Sequence, residues 1–391
     1  MFVENRPIMS ADTAAPSLTP AELVIIGAGI TGAAIAYECA CYGVEALVLE
    51  RAHGPAAGMS GASAGILRSG FDAPPLTFAT SMILAGASRW PSIFEELSIP
   101  AKVCGSVLIA HDSSQLSRLA EVTQRAAAHG VKVRAYDRGQ IRNLEPQAKA
   151  VGGLLVPSEA VTDPYEMVSR LLSTGAELRY GSAVSAVEAS DDGAIVHCST
   201  GDVQARFVIN CAGLSSDEIA GDGAFSIEAD RGDFAVYPGE AAILTDHIIE
   251  AVTADSASAT IFPTIYGRLS AYVSTRLSSK ADVGGAPPSI GELQSKAARI
   301  VPKLAGFTPE DSWVGVDAVS KDRGMIAEWS KRVPKMYNVA GIGRAGLTAA
   351  LGMSVYVLDR CRERGLGVKA RSARRARPQE AAFPWWQRRK R

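Results

Sequence analysis

Three glycines in Gly27-Ala28-Gly29-Ile30-Thr31-Gly32 have the spacing of a phosphate cradle. They follow the apolar run 22–26 and precede Ala33-Ala-Ile-Ala-Tyr-Glu-Cys-Ala, a good helix former that Gly43 is placed to stop. A second strand, predicted over 45–50, ends on Glu50, 18 residues after Gly32. Each residue has a task in that order. Gly27 makes the tight turn, and Gly29 lets backbone approach a pyrophosphate. Gly32 lets helix and strand pack closely, and free N–H groups at the helix start meet the phosphate charge. A carboxylate at the end of the second strand can accept hydrogen bonds from a ribose. The spacing therefore predicts dinucleotide binding by residues 27–32 together with Glu50 and its neighbour Arg51.

The residues after Arg51 bear on which dinucleotide. A nicotinamide-only domain would resume its strand and helix alternation, whereas Gly54 to Gly65 is a run of small residues. Such a run can lie along a long cofactor and a flat ring system, offering backbone N–H groups without bulk. This favours FAD. Gly341-Ile-Gly343-Arg344-Ala345-Gly346 repeats the glycine pattern after a strand predicted over 336–340 and before a helix predicted over 347–364, with Gly365 as its stop. No second strand ending on an acid follows it, so it is no independent dinucleotide site. It is expected to bring a helix N-terminus to the far end of the same FAD, where it would stabilise charge on the reduced ring.

Together these residues resemble the D-amino-acid-oxidase-like superfamily of FAD-dependent oxidoreductases. The nearest branch holds the glycerol-3-phosphate dehydrogenase catalytic subunit and L-2-hydroxyglutarate dehydrogenase. The resemblance spans 22–365. It is carried further by Ser60-Gly-Ala-Ser63-Ala-Gly65-Ile-Leu-Arg-Ser-Gly70-Phe-Asp72, by Leu144-Glu-Pro146 and Thr162-Asp-Pro164, by Val208-Ile-Asn-Cys-Ala-Gly213 and by Arg231-Gly-Asp-Phe234. The implied cofactor contacts are Ser60, Ser63, Ala64, Gly65, Val184, Ala212, Gly213, Gly341, Gly343, Arg344, Ala345, Gly346, Leu347 and Thr348. Three departures stand out. Arg68 occupies a position where the branch commonly has histidine. The helix after Asp163 is shortened. Gly315-Val316-Asp317 stands where the family often has Gly-Val-Arg, so an acid replaces an arginine that commonly helps hold an anionic substrate.

The implied fold is α/β: a Rossmann-like FAD domain at 21–85, 151–225 and 325–366, interleaved with a mixed-sheet α+β substrate domain at 86–150 and 226–324. Local pattern agrees with an amphipathic helix over 112–129 and then a strand over 131–135. It also predicts paired strands over 259–274 turning at Tyr266-Gly267, and a helix over 290–300. Residues 1–20 lack an apolar core and are expected to be a disordered leader. The longest uncharged stretches, 23–37 and 73–88, are too short to span a bilayer. Six cysteines without a Cys-x-x-Cys pair and five scattered histidines predict reduced thiols, no metal site and a cytoplasmic protein. A net charge of −1 argues against a nucleic-acid partner.

The activity implied is hydride transfer from a small substrate to the flavin, with the electron acceptor left open. Arg68, Arg231, Arg268 and Arg344 are the candidate catalytic-site residues, because guanidinium matches carboxylate and phosphate bidentately. They favour an anionic substrate, a 2-hydroxy acid or a polyol phosphate. An amine or amino-acid oxidase and a non-catalytic flavoprotein subunit are the alternatives. Residues 367–391 hold Arg371, Arg374, Arg375, Arg377, Arg388, Arg389, Lys390 and Arg391 beside Phe383, Trp385 and Trp386, with Glu380 the only acid. Two readings stand: a solvated, disordered tail, or an interfacial anchor giving peripheral contact with the inner face of a membrane.

Overall fold

A computed structural model describes residues 18–252, 258–276, 280, 287–320, 322–376 and 383–388. The expected leader lies outside these residues up to position 17, and so do residues 377–382 and 389–391 of the charged tail, Arg377 and Glu380 among them.

The first sheet is built on β1 (Thr19–Ile26), which runs parallel between β12 (Val203–Asn210) and β2 (Ala46–Leu49). β9 (Glu177–Arg179) extends it beyond β2, and β19 (Met336–Ala340) joins β12, again in parallel. β10 (Val184–Ser190) and β11 (Gly193–Cys198) form a hairpin on β12, and β18 (Ile326–Trp329) pairs antiparallel with β19. An apolar run such as Leu23-Val-Ile-Ile26 suits a strand covered on both faces. Leu23 and Ile25 face α1 (Ile30–Cys41), α2 (Phe78–Leu97), α5 (Pro164–Leu172) and α8 (Gly346–Glu363). Val24 and Ile26 face Val187, Val196 and Ile219, the last on α6 (Ser216–Ala220).

The second sheet runs β17 (Asp311–Val319), β13 (Glu228–Val236), β16 (Leu269–Arg276), β15 (Ala259–Pro263), β14 (Ile248–Ala251), β5 (Ser106–Ala110), β7 (Gly152–Val156), β6 (Arg134–Asp137). Every pair is antiparallel except β14 with β5. α3 (Ser113–Ala128) and α4 (Arg138–Leu144) pack on its β5 and β7 end, and α7 (Ile290–Ile300) on β13 and β15. A small third sheet joins β3 (Ile66–Leu67), β8 (Ala160–Thr162) and β4 (Ala101–Val103). It ties the start of the Arg68 segment to the strand before α5.

Several expectations are corrected. The break at 85/86 falls inside α2, whose twenty residues start at the Thr77 cap and run through Pro91. β7, expected in the cofactor domain, pairs in the second sheet. The strand expected over 131–135 sits at 134–137, where Arg134 meets Leu155. β1 begins at Thr19, inside the stretch expected to be unstructured. The described part of the tail is solvated only in part: most of 367–375 is exposed, but residues 371–374 lie on α1, with the Arg374 guanidinium donating to the Ala40 carbonyl, and α9 (Trp385–Arg388) buries both tryptophans. All six cysteines are unpaired. Among the described residues no helix is long and apolar enough to cross a membrane, and no cluster of His, Cys, Asp and Glu could hold a metal ion.

Candidate functional site

A cavity of about 1330 Å³ opens at the carboxyl ends of β1, β2, β12 and β19, between the two large sheets. It exceeds the roughly 300–1,000 Å³ usual for a small-molecule pocket. Gly27 sits at φ +105°, and a Cβ there would stand 2.6 Å from the Cys211 carbonyl oxygen, so the turn requires glycine. A Cβ on Gly32 would enter the Gly27 carbonyl oxygen, which explains the close crossing of α1 on β1. Gly29 caps α1 in extended backbone and lies on the cavity wall with Ile30 and Thr31. The Ile30 N–H, without an intrahelical partner, donates to Ser60 Oγ at 2.9 Å. The Glu50 carboxylate is fixed by the Ala28 N–H at 2.7 Å and the Ala52 N–H at 2.9 Å, and it faces the cavity with lone pairs to spare. A glycine cradle at a helix start, a fixed carboxylate at the next strand end and a cavity of this volume fit FAD.

The wall between the sheets is charged. Arg68 Nη1 lies 3.1 Å from Glu159 Oε2 and 2.5 Å from Glu250 Oε1. Glu159 is fully buried and also accepts from the Ser69 N–H and hydroxyl at 2.9 and 3.1 Å. Burial pushes its carboxyl up to about 7, against the pull of Arg68. The Arg68 N–H donates to the Thr348 hydroxyl at 2.8 Å, which locks this segment to α8. Arg344 donates to Ser274 Oγ at 2.7 Å and stands 4.0 Å from Asp230. Asp317, which pairs in register with Asp230, lines the cavity; burial raises its carboxyl to about 6, Arg344 opposes that rise and Asp230 adds to it.

Twenty of the expected residues lie on this wall: Gly27, Gly29, Ile30, Thr31, Glu50, Arg51, Ser60, Ser63, Ala64, Gly65, Arg68, Val184, Ala212, Gly213, Gly341, Gly343, Arg344, Ala345, Gly346 and Leu347. Ala28, Gly32 and Thr348 do not. Their places are behind it, where the Ala28 amide orients Glu50 and the Thr348 hydroxyl orients Arg68. Arg231 and Arg268 are corrected outright. Arg231 is buried on β13, spent on Asp233 at 2.7 Å and the Pro287 carbonyl at 2.9 Å. Arg268 ends in an ion pair with Glu310 at 2.8 Å, away from the cavity. Sequence reasoning missed Glu159, Glu250, Tyr272 and Ser274. The signal for Glu250 was an acid alone in the apolar strand Ile248-Ile-Glu-Ala; Glu159, in the short connection between β7 and β8, carried none.

The family profile for FAD dependent oxidoreductases (DAO) matches residues 22–360. A glycerol 3-phosphate dehydrogenase of Caloramator mitchellensis is 23% identical over 350 residues, 86% of this chain and 73% of that protein. An L-2-hydroxyglutarate dehydrogenase of Escherichia coli K12 is 25% identical over 205 residues, 51% of this chain and 49% of its own length. Among solved structures, FAD-bound L-alpha-glycerophosphate oxidase from Mycoplasma pneumoniae superposes with a TM-score of 0.82 at 18% identity, covering 93% of this chain and 97% of the other. Glycine oxidase from Geobacillus kaustophilus superposes at 0.77, also at 18% identity, covering 88% and 95%. At these identities the superpositions show a shared fold.

Proposed function

This chain belongs to the DAO family of FAD-dependent oxidoreductases, and on that premise we propose that the substrate it oxidises is a small amine. The observation that carries the reading is the charge balance of the wall. Arg68, expected to hold an anion, is matched by two carboxylates, Glu159 and Glu250. Arg344 leans on Asp230 and faces the field of Asp317. What remains beside the flavin region is an unmatched acid, in the position where the resemblance expects an arginine. At this part of the wall, around Asp317 and Asp230, a negative surplus favours a cation.

FAD, held by the Gly27 to Gly32 turn, Glu50 and the loops at 60–65 and 341–347, supplies the two-electron acceptor when bound. The chain's own part is to hold and deprotonate the amine. Asp317, with its carboxyl near 6, is an anion at neutral pH and still a serviceable proton acceptor. It would bind the ammonium group and take its proton, leaving the lone pair that the C–H bond cleavage requires.

A second reading rests on Arg118. It reaches the wall from α3, half-buried, with no hydrogen bond or ion pair among the described residues. With the glycerol 3-phosphate dehydrogenase relative it supports the polyol phosphate or 2-hydroxy acid reading. Anaerobic mixing decides between them. Amines and amino acids should bleach the visible flavin band. Asp317→Asn should slow that bleaching by about 10²-fold, the usual worth of a positioned proton acceptor, while Arg344→Ala leaves most of it. Bleaching by a polyol phosphate or hydroxy acid alone, with KM raised in Arg118→Ala and Asp317→Asn tolerated, would reverse the assignment.

A further inference from the structure

The last described segment, 383–388, seats on the outer side of the cofactor loop. Trp385 and Trp386 are 1% and 3% exposed. The Trp386 ring lies parallel to Trp313 at 7°, centroids 6.5 Å apart, and Trp385 packs edge-on to both, at 4.6 and 6.3 Å. Trp313 in turn stacks on Phe234 at 4.8 Å, and its indole N–H donates to the Ala62 carbonyl at 2.9 Å. Ala62 closes the turn Ser60–Ala62, whose Ser60 hydroxyl accepts the first N–H of α1. Ala62 and Ala64 pack into the same aromatic cluster. A continuous path of contact therefore leads from the two tryptophans, through Trp313, to the turn that meets the phosphate-binding helix start.

The segment is pinned as well as packed. Arg388 pairs with the buried Glu166 at 3.0 Å, and its guanidinium lies 4.4 Å from the Tyr165 ring centroid. Tyr266, edge-on to Trp386 at 5.6 Å, donates to Asp163 at 2.6 Å, the residue that caps α5. Burying two indoles yields large apolar contact at small entropic cost, since each has two side-chain torsions. Removing them would leave the outer faces of Trp313 and Ala62 without packing.

We propose that Trp385 and Trp386 are positioning residues for the cofactor: acting through Trp313, they hold the turn Ser60–Ala62 against α1, and FAD is held at full strength only while the segment is seated. The inference rests on FAD being the cofactor and not on the nature of the substrate. Full-length holoenzyme is heated while flavin fluorescence reports release and far-UV circular dichroism reports unfolding. In the natural protein and in Trp386→Phe, which keeps a ring over Trp313, the two temperatures coincide. In Trp386→Ala, flavin leaves several degrees before unfolding, and the Kd for FAD rises about tenfold, equivalent to about 1.4 kcal/mol. Trp385→Ala moves both readouts the same way. Release that stays coincident with unfolding in both alanine variants, whether the two temperatures fall together or neither moves, overturns the proposal. Sedimentation of the holoenzyme with anionic vesicles that Trp386→Ala abolishes also overturns it, because the pair would then face lipid.

Discussion

Arg68 and Arg344 are both guanidinium groups on the cavity wall, yet their surroundings assign them different work. Arg68 stands between Glu159, fully buried, and Glu250. Deleting it would leave a buried carboxylate without its cation, a loss that typically costs about 3–5 kcal/mol. Arg68→Ala should therefore express poorly or melt far below the natural protein, whereas Arg344→Ala, with a side chain 44% exposed, should melt almost unchanged. Equal melting of the two would show that the Arg68 cluster is not structural. Asp317 adds a pH dependence. Its carboxyl is raised to about 6, first by burial, so the anion that binds and deprotonates an amine is present above that pH and lost below it. The kcat/KM for an amine should fall as pH drops through about 6, and Asp317→Asn should erase that limb of the profile while leaving the substrate's own titration. A profile that keeps the limb in the Asn variant would assign it to another group, with Glu159 and its carboxyl near 7 the first to test.

At the scale of elements, the site depends on how closely α2 and α8 cross. A Cβ on Gly86 would enter the Thr348 carbonyl oxygen, and one on Gly352 the Met82 carbonyl oxygen. Thr348 also holds the Arg68 N–H, so a shift of α8 is passed to the cavity wall. Gly86→Ala should cost about 1–3 kcal/mol, the usual range for overpacking, and should weaken flavin retention. Gly291→Ala in α7, where nothing lies within 4 Å of the added carbon, should instead stabilise by about 0.5–1 kcal/mol. Melting curves of the two variants test the contrast. The same distinction explains what could be read in advance. β1, α1, β2 and Glu50 were legible because their determinants are local: an apolar run, three glycines and a closing acid within a few dozen residues. The helix over 290–300 was legible from its spacing, which the structure matches end to end. Arg268 was not, because its partner Glu310 is supplied by the fold; Arg231 could have been, because Asp233 stands two residues on, on the same face of the same strand. Trp385 and Trp386 read as anchor or tail because their partner Trp313 lies on a distant strand. The fate of Arg68 was hidden for the same reason: Glu159 and Glu250 come from a turn and a strand far along the chain.

At the scale of the whole molecule, the cofactor site is assembled from segments remote in sequence. The turn at 27–32, the loop at 60–65, the strand end at 211–215 and the loop at 341–347 all reach one cavity between two sheets. No single segment can hold a dinucleotide, and the unfolded chain has no such site, so FAD binds the native state alone. Linkage then makes free FAD a stabiliser of the entire fold, by about 2.7 kcal/mol when its concentration is a hundred times Kd and by a further step with each tenfold increase. The melting temperature of the stripped protein should therefore climb with the logarithm of added FAD well past stoichiometry, and NAD should produce no such climb. Gly29→Val places bulk where backbone must approach the pyrophosphate, so this variant should melt at the temperature of the stripped protein however much FAD is added. A melting temperature that saturates at one equivalent of FAD, or a Gly29→Val protein that follows the same rising line, would mean that the cofactor is not what joins these four segments.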